Sequence, residues 1–363
     1  MQLRLTLPAA AALLLSPSVQ ADKIYRVDGT TVSNVTITAE TLEGVNYKDE
    51  KRKEGSVPAD LVLSVEFSSK PQLVDSADAA IAEEAYGDAQ VDLLNFLEGM
   101  EQAPRKHPWS RAYALYRLIE VCEVLGESAQ VARFADQLAE VEGNSRYLPF
   151  AQLKKAQALF DSGDSAGSIS SLTDLQSTID GKGLGDRWRT EHELAKVLFD
   201  ANLKGASRMS KLEGLVSKSV GYATVNNRAK VALGESMLLA GQIKEAEKVF
   251  RDVVSDPKGD GRTLAGAYSG LGDALFAQGE PNKDSDVGQN QLREARVAFM
   301  RVVVSYKNQL AYVPKAMFYA GRCFQLLADD EFADEKADKL YKKLIRTFDG
   351  TRWANEARAF RPK

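Results

Sequence analysis

The chain has 363 residues, of which 44% are hydrophobic and 27% charged, so it holds ample material for a buried core. An aromatic share of 8% excludes a disordered polymer. The formal net charge is -4 with acidic and basic residues interspersed, which argues against nucleic acid and against an anionic membrane surface as partners.

Residues 1–21 have the pattern of an export signal. Arg4 provides an early positive charge, an apolar stretch runs from Leu5 to Leu15, and Val19-Gln20-Ala21 has the small residues of a cleavage site. The apolar stretch is shorter than the roughly 20 residues that a spanning helix needs, so a retained anchor is the weaker alternative. Asp22, rather than the cysteine that carries a lipid anchor, follows the cleavage site. We therefore expect a soluble exported protein, periplasmic or secreted, that is not a lipoprotein.

Residues 22–67 are predicted to form a small β-rich module. Asp28-Gly29 separates two segments rich in Val, Thr and Ile, which is a strong hairpin signal because both turn positions favour positive φ. Val32 and Val35 have opposite parity, so a bulge near Ser33-Asn34 is needed to place both on one face. Four or five short strands in this length resemble a small SH3-like or Sm-like barrel. Its role as a docking domain or as a cap on the helices that follow is left open.

The last strand of the module is expected to alternate, with one apolar and one mostly polar face. The apolar face is predicted to hold Leu61, Leu63, Val65 and Phe67, and the other face Val62, Ser64 and Glu66. Lys70-Pro71 marks the boundary of the module. Residues 68–75 are predicted to be a linker, and residues 76–363 a helical region.

The helical region reads as a series of helix pairs with a nearly constant period. The turn inside each pair is predicted at steps of 37 to 39 residues, at Gly87, Gly126, Gly163, Asn202, Gly241 and Gly279. A fixed period in this range is typical of a stacked repeat protein, in which each unit buries its apolar face only against its neighbours. About seven pairs are predicted. An insertion at residues 280–291 precedes the end of the sixth pair and is expected to be a polar surface loop.

One unit of the series, at residues 229–250, is the clearest. Leu233-Gly234 is followed by Met237, Gly241, Ala246 and Phe250, and then by Pro257. This order resembles the tetratricopeptide repeat, in which small residues let the two helices of a pair approach and large ones fill the space beside them. The resemblance covers residues 76–363 and implies a mostly α fold, a solenoid of helix pairs. The ending, residues 340–357, is similar to those of tetratricopeptide proteins of the bacterial envelope.

Residues that could carry chemistry are few. His107 lies in a polar connection and His192 between two glutamates, and neither has a second ligand at helical spacing, so both are expected at the surface. Cys122 and Cys323 lie in apolar helical patterns four units apart, which predicts two buried thiols rather than a disulfide. The sequence lacks a phosphate-binding loop and a nucleophile elbow.

A calcium loop at the insertion is also disfavoured. Asn282, Asp284 and Asp286 alternate as calcium ligands do, but the glycine and glutamate that an EF-hand needs are replaced by Val287 and Arg293. We expect no metal, no cofactor and no catalytic activity.

The resemblance implies a ligand groove on the concave face of the solenoid. In tetratricopeptide arrays this face is lined by the first helix of each pair, at positions two, five, nine and twelve of the unit. Here these positions hold Tyr113, Tyr116, Glu120, Phe150, Gln157, Phe160, His192, Lys196, Arg228, Glu235, Asp273, Phe276 and Arg322. Aromatics mixed with both charges suit an extended peptide. For single aromatics, particularly Phe160 and Phe276, core packing is the alternative.

The sequence thus predicts a non-catalytic scaffold for protein–protein interaction in the periplasm or cell envelope. Its partner would be an envelope protein or peptide, and it would meet a membrane only through that partner. Two alternatives stay open, a module that binds carbohydrate or a cell-wall polymer through the groove aromatics, and an enzyme with an unfamiliar site.

Overall fold

The computed structural model describes residues 21–100, 107–255, 259–328 and 331–361. Pro257 and the predicted export signal, apart from Ala21, lie outside these residues. The described chain begins with an antiparallel sheet of five strands in the order β4-β3-β2-β1-β5. The strands are β1 (Asp22–Arg26), β2 (Thr31–Glu40), β3 (Gly44–Asp49), β4 (Glu54–Pro58) and β5 (Val62–Glu66).

The helical region follows as seven pairs and a last single helix within the described residues. None of these helices combines the length and the apolar character that crossing a membrane requires. The fold class predicted from the sequence is confirmed. The helices are α1 (Gln72–Ala82), α2 (Tyr86–Met100), α3 (Ser110–Leu125), α4 (Ser128–Val141), α5 (Leu148–Asp161), α6 (Ser165–Lys182), α7 (Asp186–Leu198), α8 (Gly205–Lys218), α9 (Ala223–Leu239), α10 (Ile243–Ser255), α11 (Gly261–Gly279), α12 (Asp286–Ser305), α13 (Val313–Leu326), α14 (Ala333–Thr347) and α15 (Arg352–Phe360).

The hairpin between β1 and β2 contains the predicted bulge. Asp22 pairs with Val35 and Ile24 with Val32, so β2 has one residue more than β1 over this stretch. Val35 is buried and Val32 packs against the same hydrophobic cluster. At the turn, only Gly29 has a positive φ, of 84°. Asp28 contributes differently from the prediction, since its carboxylate accepts hydrogen bonds from the backbone and the hydroxyl of Thr30.

The predicted face of β5 is wrong at two positions. Val62 is 2% exposed and belongs to the core of the sheet, whereas Leu63 is 61% exposed. The cause is a second bulge, because Tyr25 pairs with Ser64 and the next residue, Arg26, with Val62. Leu63 is therefore the extra residue, and it reverses the parity of the strand.

The β module is attached to the helical array through buried contacts. The ring of Phe67 stacks on Trp109, just before α3, with 3.4 Å between the ring centroids. The backbone N–H of Leu42 donates to the carbonyl of Asn144, between α4 and α5, over 2.9 Å. In the same connection the buried guanidinium of Arg146 pairs with Glu40 of β2. The module thus packs along the beginnings of α3 and α5.

The turns inside the helix pairs use glycine less uniformly than predicted. Gly126, Gly163 and Gly241 have φ of 76°, 89° and 76° and end the first helix of their pairs. This left-handed conformation is open to glycine without steric cost. Gly87 instead lies inside α2, after a turn at Glu84, whose φ is 62°. Asn202 lies in the turn between α7 and α8, as predicted.

The end of α11 also differs from the prediction, because Gly279 is a buried helical residue with φ of -79°. The predicted insertion loop is largely helical. A short 3-10 helix covers residues 280–282, and Ser285 caps α12 by accepting a hydrogen bond from the backbone of Gly288. α1 likewise starts inside the predicted linker, at Gln72.

Helix pairs are held together by aromatic rings that rest on glycine. The ring of Phe250, on α10, lies so close to Gly234 of α9 that a Cβ there would be 2.7 Å from its Cζ. It lies closer still to Gly270 of α11, so one ring joins two successive first helices. Phe299 on Gly272 and Tyr341 on Gly321 repeat the contact inside the next two pairs. The packing role predicted for Gly234 and Phe250 is confirmed.

A methyl group added at this contact should destabilise the protein. We expect Gly270→Ala to lower the free energy of unfolding by about 1–3 kcal/mol, because the ring of Phe250 has no room to move aside. Urea unfolding at neutral pH measures the change. The matched control is Gly214→Ala in α8, where an added Cβ meets no atom within 4 Å. This variant should be neutral or up to about 1 kcal/mol more stable. Equal effects of the two substitutions would contradict the packing assignment.

The array curves until its sixth pair contacts its first. The turn after α12 touches the turn before α2, where Lys307 pairs with Glu84 and the amide of Asn308 donates to the Tyr86 hydroxyl over 3.2 Å. Further inside, Arg262 at the start of α11 pairs with Asp161 at the end of α5, at 3.1 Å. These three contacts, which we call the closure contacts, join distant units across the concave face.

A zero-length coupling reagent tests the closure in the unmodified protein. Carbodiimide joins an amine to a carboxylate only where the two touch, so we expect a cross-linked peptide pair containing Glu84 and Lys307, detected by mass spectrometry after digestion. Lys307→Gln should abolish this product. The local pair Lys339–Glu335 on α14, at 2.6 Å, serves as the internal control of coupling. Coupling at the control pair without any product at Lys307 would show that the array is open in solution.

Candidate functional site

The concave face holds a cavity of about 460 Å³. Five successive first helices, α3, α5, α7, α9 and α11, contribute to its wall, together with Arg208 of α8 and Tyr312 before α13. We call this space the groove. Seven of the thirteen residues predicted from the sequence line it: Tyr116, Glu120, Phe150, Gln157, Phe160, Arg228 and Glu235.

One wall of the groove is aromatic. Tyr116 stacks on Tyr147 with 4.8 Å between the ring centroids, and Phe160 stacks on Phe199 at 5.4 Å. Phe150 meets Trp188 edge to face at 4.7 Å. Tyr147, Phe199 and Trp188 are buried, so each half-exposed ring of the wall rests on a buried one. The wall thus offers apolar area whose rings are held in place by packing on buried rings.

Most charged residues of the groove pair with one another. Lys154 pairs with Glu123 at 2.5 Å and links α5 to α3. Arg228 pairs with Glu191 at 2.6 Å and links α9 to α7. Asp260 caps α11 by accepting from the backbone of Thr263, and this hydrogen bond helps to lower its pKa against the effect of burial. The paired groups join neighbouring units and leave little free charge for a ligand.

Two lining residues carry a charge that no described residue satisfies by an ion pair or a hydrogen bond. The Arg187 guanidinium lies over the rings of Phe150 and Trp188, 5.6 and 5.3 Å from their centroids. The Glu235 side chain is accessible to solvent yet is surrounded by protein. This burial raises the pKa of its carboxyl, although Lys315 attracts the charged form. Within the part of the chain that the structure describes, these two are the groove charges without an ion pair or hydrogen bond, and we call them the free charges.

The predicted groove residues of α7 are wrong. His192 is buried at 6% exposure rather than lying at the surface, and Lys196 is exposed but outside the cavity wall. The residues of α7 that face the groove are Arg187 and Glu191. Arg228 of α9 pairs with Glu191, so Glu191 rather than the adjacent His192 faces the groove.

Four further predicted residues lie away from the cavity wall. The Tyr113 hydroxyl donates to Asp78 of α1 at 2.8 Å, and Asp273 pairs with Lys315 of α13 at 2.5 Å. Phe276 is a core residue, which confirms the alternative that the sequence analysis gave for it, and it packs edge to face on Tyr319. Arg322 pairs with Glu280 at 2.8 Å and covers the ring of Phe360 on α15.

Sequence reasoning missed several residues that line the groove. Arg262 lies at the beginning of α11, and Tyr312 lies just before α13. Both precede the positions that the tetratricopeptide pattern predicts to face the groove. They reach the cavity because the closure contacts bring the sixth pair over the third. No local signal in the sequence reports this curvature.

The two cysteines are buried free thiols, as predicted. Burial raises the pKa of Cys122 to about 11 and that of Cys323 further. A thiol that stays protonated is a poor nucleophile. Among the described residues, no group of three or more His, Cys, Asp and Glu side chains could hold a metal ion.

Comparisons with known proteins give matches of fold only. No protein-family model matches the sequence, and no curated protein matches it. A solved tetratricopeptide repeat protein from Parabacteroides merdae matches 79% of this chain with 96% of its own, at 11% identity and a TM-score of 0.42. The C-terminal part of a TPR repeat-containing protein from Cytophaga hutchinsonii matches 78% of this chain with 98% of its own, at 14% identity and a TM-score of 0.34.

Buried His192 should make the protein sensitive to acid. Burial lowers the pKa of its imidazole in the folded state, and Lys196 adds to the effect. As the pH falls through about 6.5, the unfolded chain therefore binds a proton more readily than the folded one, and the free energy of unfolding decreases. We expect urea titrations at pH 7.5 and at pH 5.5 to measure this decrease. Between these two pH values, the free energy of unfolding should fall less for His192→Asn than for the wild type. Parallel losses in both proteins would contradict this assignment.

Proposed function

We propose that the chain is a non-catalytic scaffold that binds an extended segment of a protein partner in the groove. The observation that supports this most is the composition of the cavity wall, to which five successive first helices each contribute side chains. A surface built from equivalent positions of repeated units follows a chain-like ligand, because each unit offers a similar contact one step further along. A compact small molecule would need convergent groups from one place instead.

The groove has the chemistry that an extended peptide needs. Its aromatic rings provide apolar anchors, and its charged residues, such as Arg228 and Glu191, provide polar groups in the same cavity wall. Its volume of about 460 Å³ lies in the range of roughly 300–1,000 Å³ that is usual for ligand pockets. A segment of a few residues fits this space, whereas a folded domain does not.

A role without catalysis follows from how the charged groups of the groove are used. Acid–base catalysis needs a titratable side chain aligned with a reacting group and tuned by its partners. Here Glu123, Glu191 and Asp161 are each held by a cation. The pairs of Glu123 and Glu191 join neighbouring units, and the pair of Asp161 is one of the closure contacts. His192 is buried outside the cavity wall. We also propose export to the periplasm or cell envelope, on the strength of residues 1–21.

Site-specific photo-crosslinking in cells that express the full chain tests the proposal. A photoreactive phenylalanine replaces Gln157, a half-buried residue of the groove wall, and in a control protein it replaces Lys248, an exposed residue of α10 outside the wall. Irradiation should yield a protein adduct from position 157 and not from position 248. Digestion and mass spectrometry of the adduct should locate a single segment of the partner. Cell fractionation in the same experiment reports whether the protein is exported.

Three outcomes would contradict the proposal. Equal adducts from both positions would place the binding surface elsewhere. An adduct that contains only glycan would favour the carbohydrate-binding alternative. A purified protein that turns over a substrate, and that loses this activity on substitution of a groove residue, would show an enzyme.

A further inference from the structure

The groove has a built-in charge pattern. Among the described residues, Arg187 and Glu235 are the charged lining residues without an ion pair or a hydrogen bond, and Arg187 contacts only the faces of aromatic rings. The cations nearest Glu235 are engaged elsewhere. Lys315 pairs with Asp273, and Arg262 with Asp161, whereas Arg208 donates to the carbonyl of Val197 over 2.7 Å. Lys315, Arg208 and Arg262 attract the Glu235 charge from a distance, but no described residue forms an ion pair with it, so the carboxylate oxygens are available to a ligand cation.

The register between α7 and α9 places the two free charges at opposite ends of the groove. Arg228 pairs with Glu191, so positions on α9 lie beside those 37 residues earlier on α7. On this register Thr224 lies beside Arg187, and Leu198 beside Glu235. Arg187 stands at the beginning of α7, and Glu235 near the end of α9.

The distance between the two groups follows from helix geometry. Glu235 comes eleven residues after Thr224, which corresponds to about 16 Å along α9 at 1.5 Å per residue. Neighbouring helix axes lie about 9 Å apart, so the direct separation is about 18 Å. An extended chain covers about 3.4 Å per residue, and the span therefore equals about five or six residues.

Each free charge lies beside a different part of the apolar wall. Arg187 has Tyr116 and Phe150 on its side of the groove, and Glu235 has Leu198 and Phe199 on the other. Each end can thus hold one charged side chain while apolar surface covers its hydrocarbon part. Between the ends, Arg228 and Glu191 pair with each other.

We propose that the groove selects an extended peptide in which an acidic side chain and a lysine or arginine are about five or six residues apart. The acidic group binds Arg187 and the basic group binds Glu235. This inference rests on the proposed peptide-binding function and adds to it the charge and the spacing of the ligand.

A displayed library of random twelve-residue peptides, selected on the immobilised full chain, tests the spacing. Enriched peptides should carry an acidic and a basic residue five or six positions apart. Selection on Glu235→Gln should lose the basic preference and keep the acidic one, and Arg187→Gln should do the reverse. The matched controls are Arg189→Gln on α7 and Glu245→Gln on α10, which are exposed outside the groove wall and should leave both preferences unchanged.

Fluorescence anisotropy of the best peptide completes the test. Glu235→Gln should weaken binding about tenfold. Replacing the basic residue of the peptide by glutamine should weaken binding by the same factor. Combining the two changes should cause no further loss, because both remove the same contact. Enriched peptides without the charge pair, or additive losses, would overturn the inference and leave the peptide groove in place. A selection that enriches no peptide would overturn both the inference and the proposed function.

Discussion

The contact between an aromatic ring of a second helix and the glycines of two first helices determines the geometry of the array. Phe250 shows it most clearly, because its ring touches Gly234 in its own pair and Gly270 in the next. A side chain at either glycine would push the helices apart, so the ring fixes both the approach inside a pair and the step between pairs. The regular step then places equivalent residues of successive first helices side by side on the concave face.

The groove depends on that regular step, but its charges follow a second rule. Ion pairs such as Arg228–Glu191 and Lys154–Glu123 cross from one unit to the next and satisfy themselves. Each is partly shielded from solvent, so removing one partner would leave an uncompensated charge. Most charged groups of the groove thus bind one another and hold the units in register. On α7 and α9, Arg187 and Glu235 have no such pair among the described residues.

How far the sequence predicts the structure depends on the range of the contacts involved. Gly234 and Phe250 pack within one pair, a contact between residues close in the chain, and their spacing alone predicts it. The prediction of a loop at residues 280–291 was wrong because Ser285 caps a helix there. A serine before a helical segment is a start signal that can be read from the sequence. Arg187 and Glu191 were missed because the repeat pattern points to His192 and Lys196, whereas the contact with Arg228 of the next unit is made by Glu191. Tyr312 reaches the groove only through the curvature of the whole array.

The closure contacts have a consequence for the number of units. Open repeat arrays gain or lose a unit at little cost, since each unit contacts only its neighbours. Here Glu84 meets Lys307, and Asp161 meets Arg262, and both contacts depend on the total rotation accumulated by the units between them. One unit more or fewer would separate these partners and open the groove. In this chain the count of repeats is therefore itself a structural parameter, as it is in a ring.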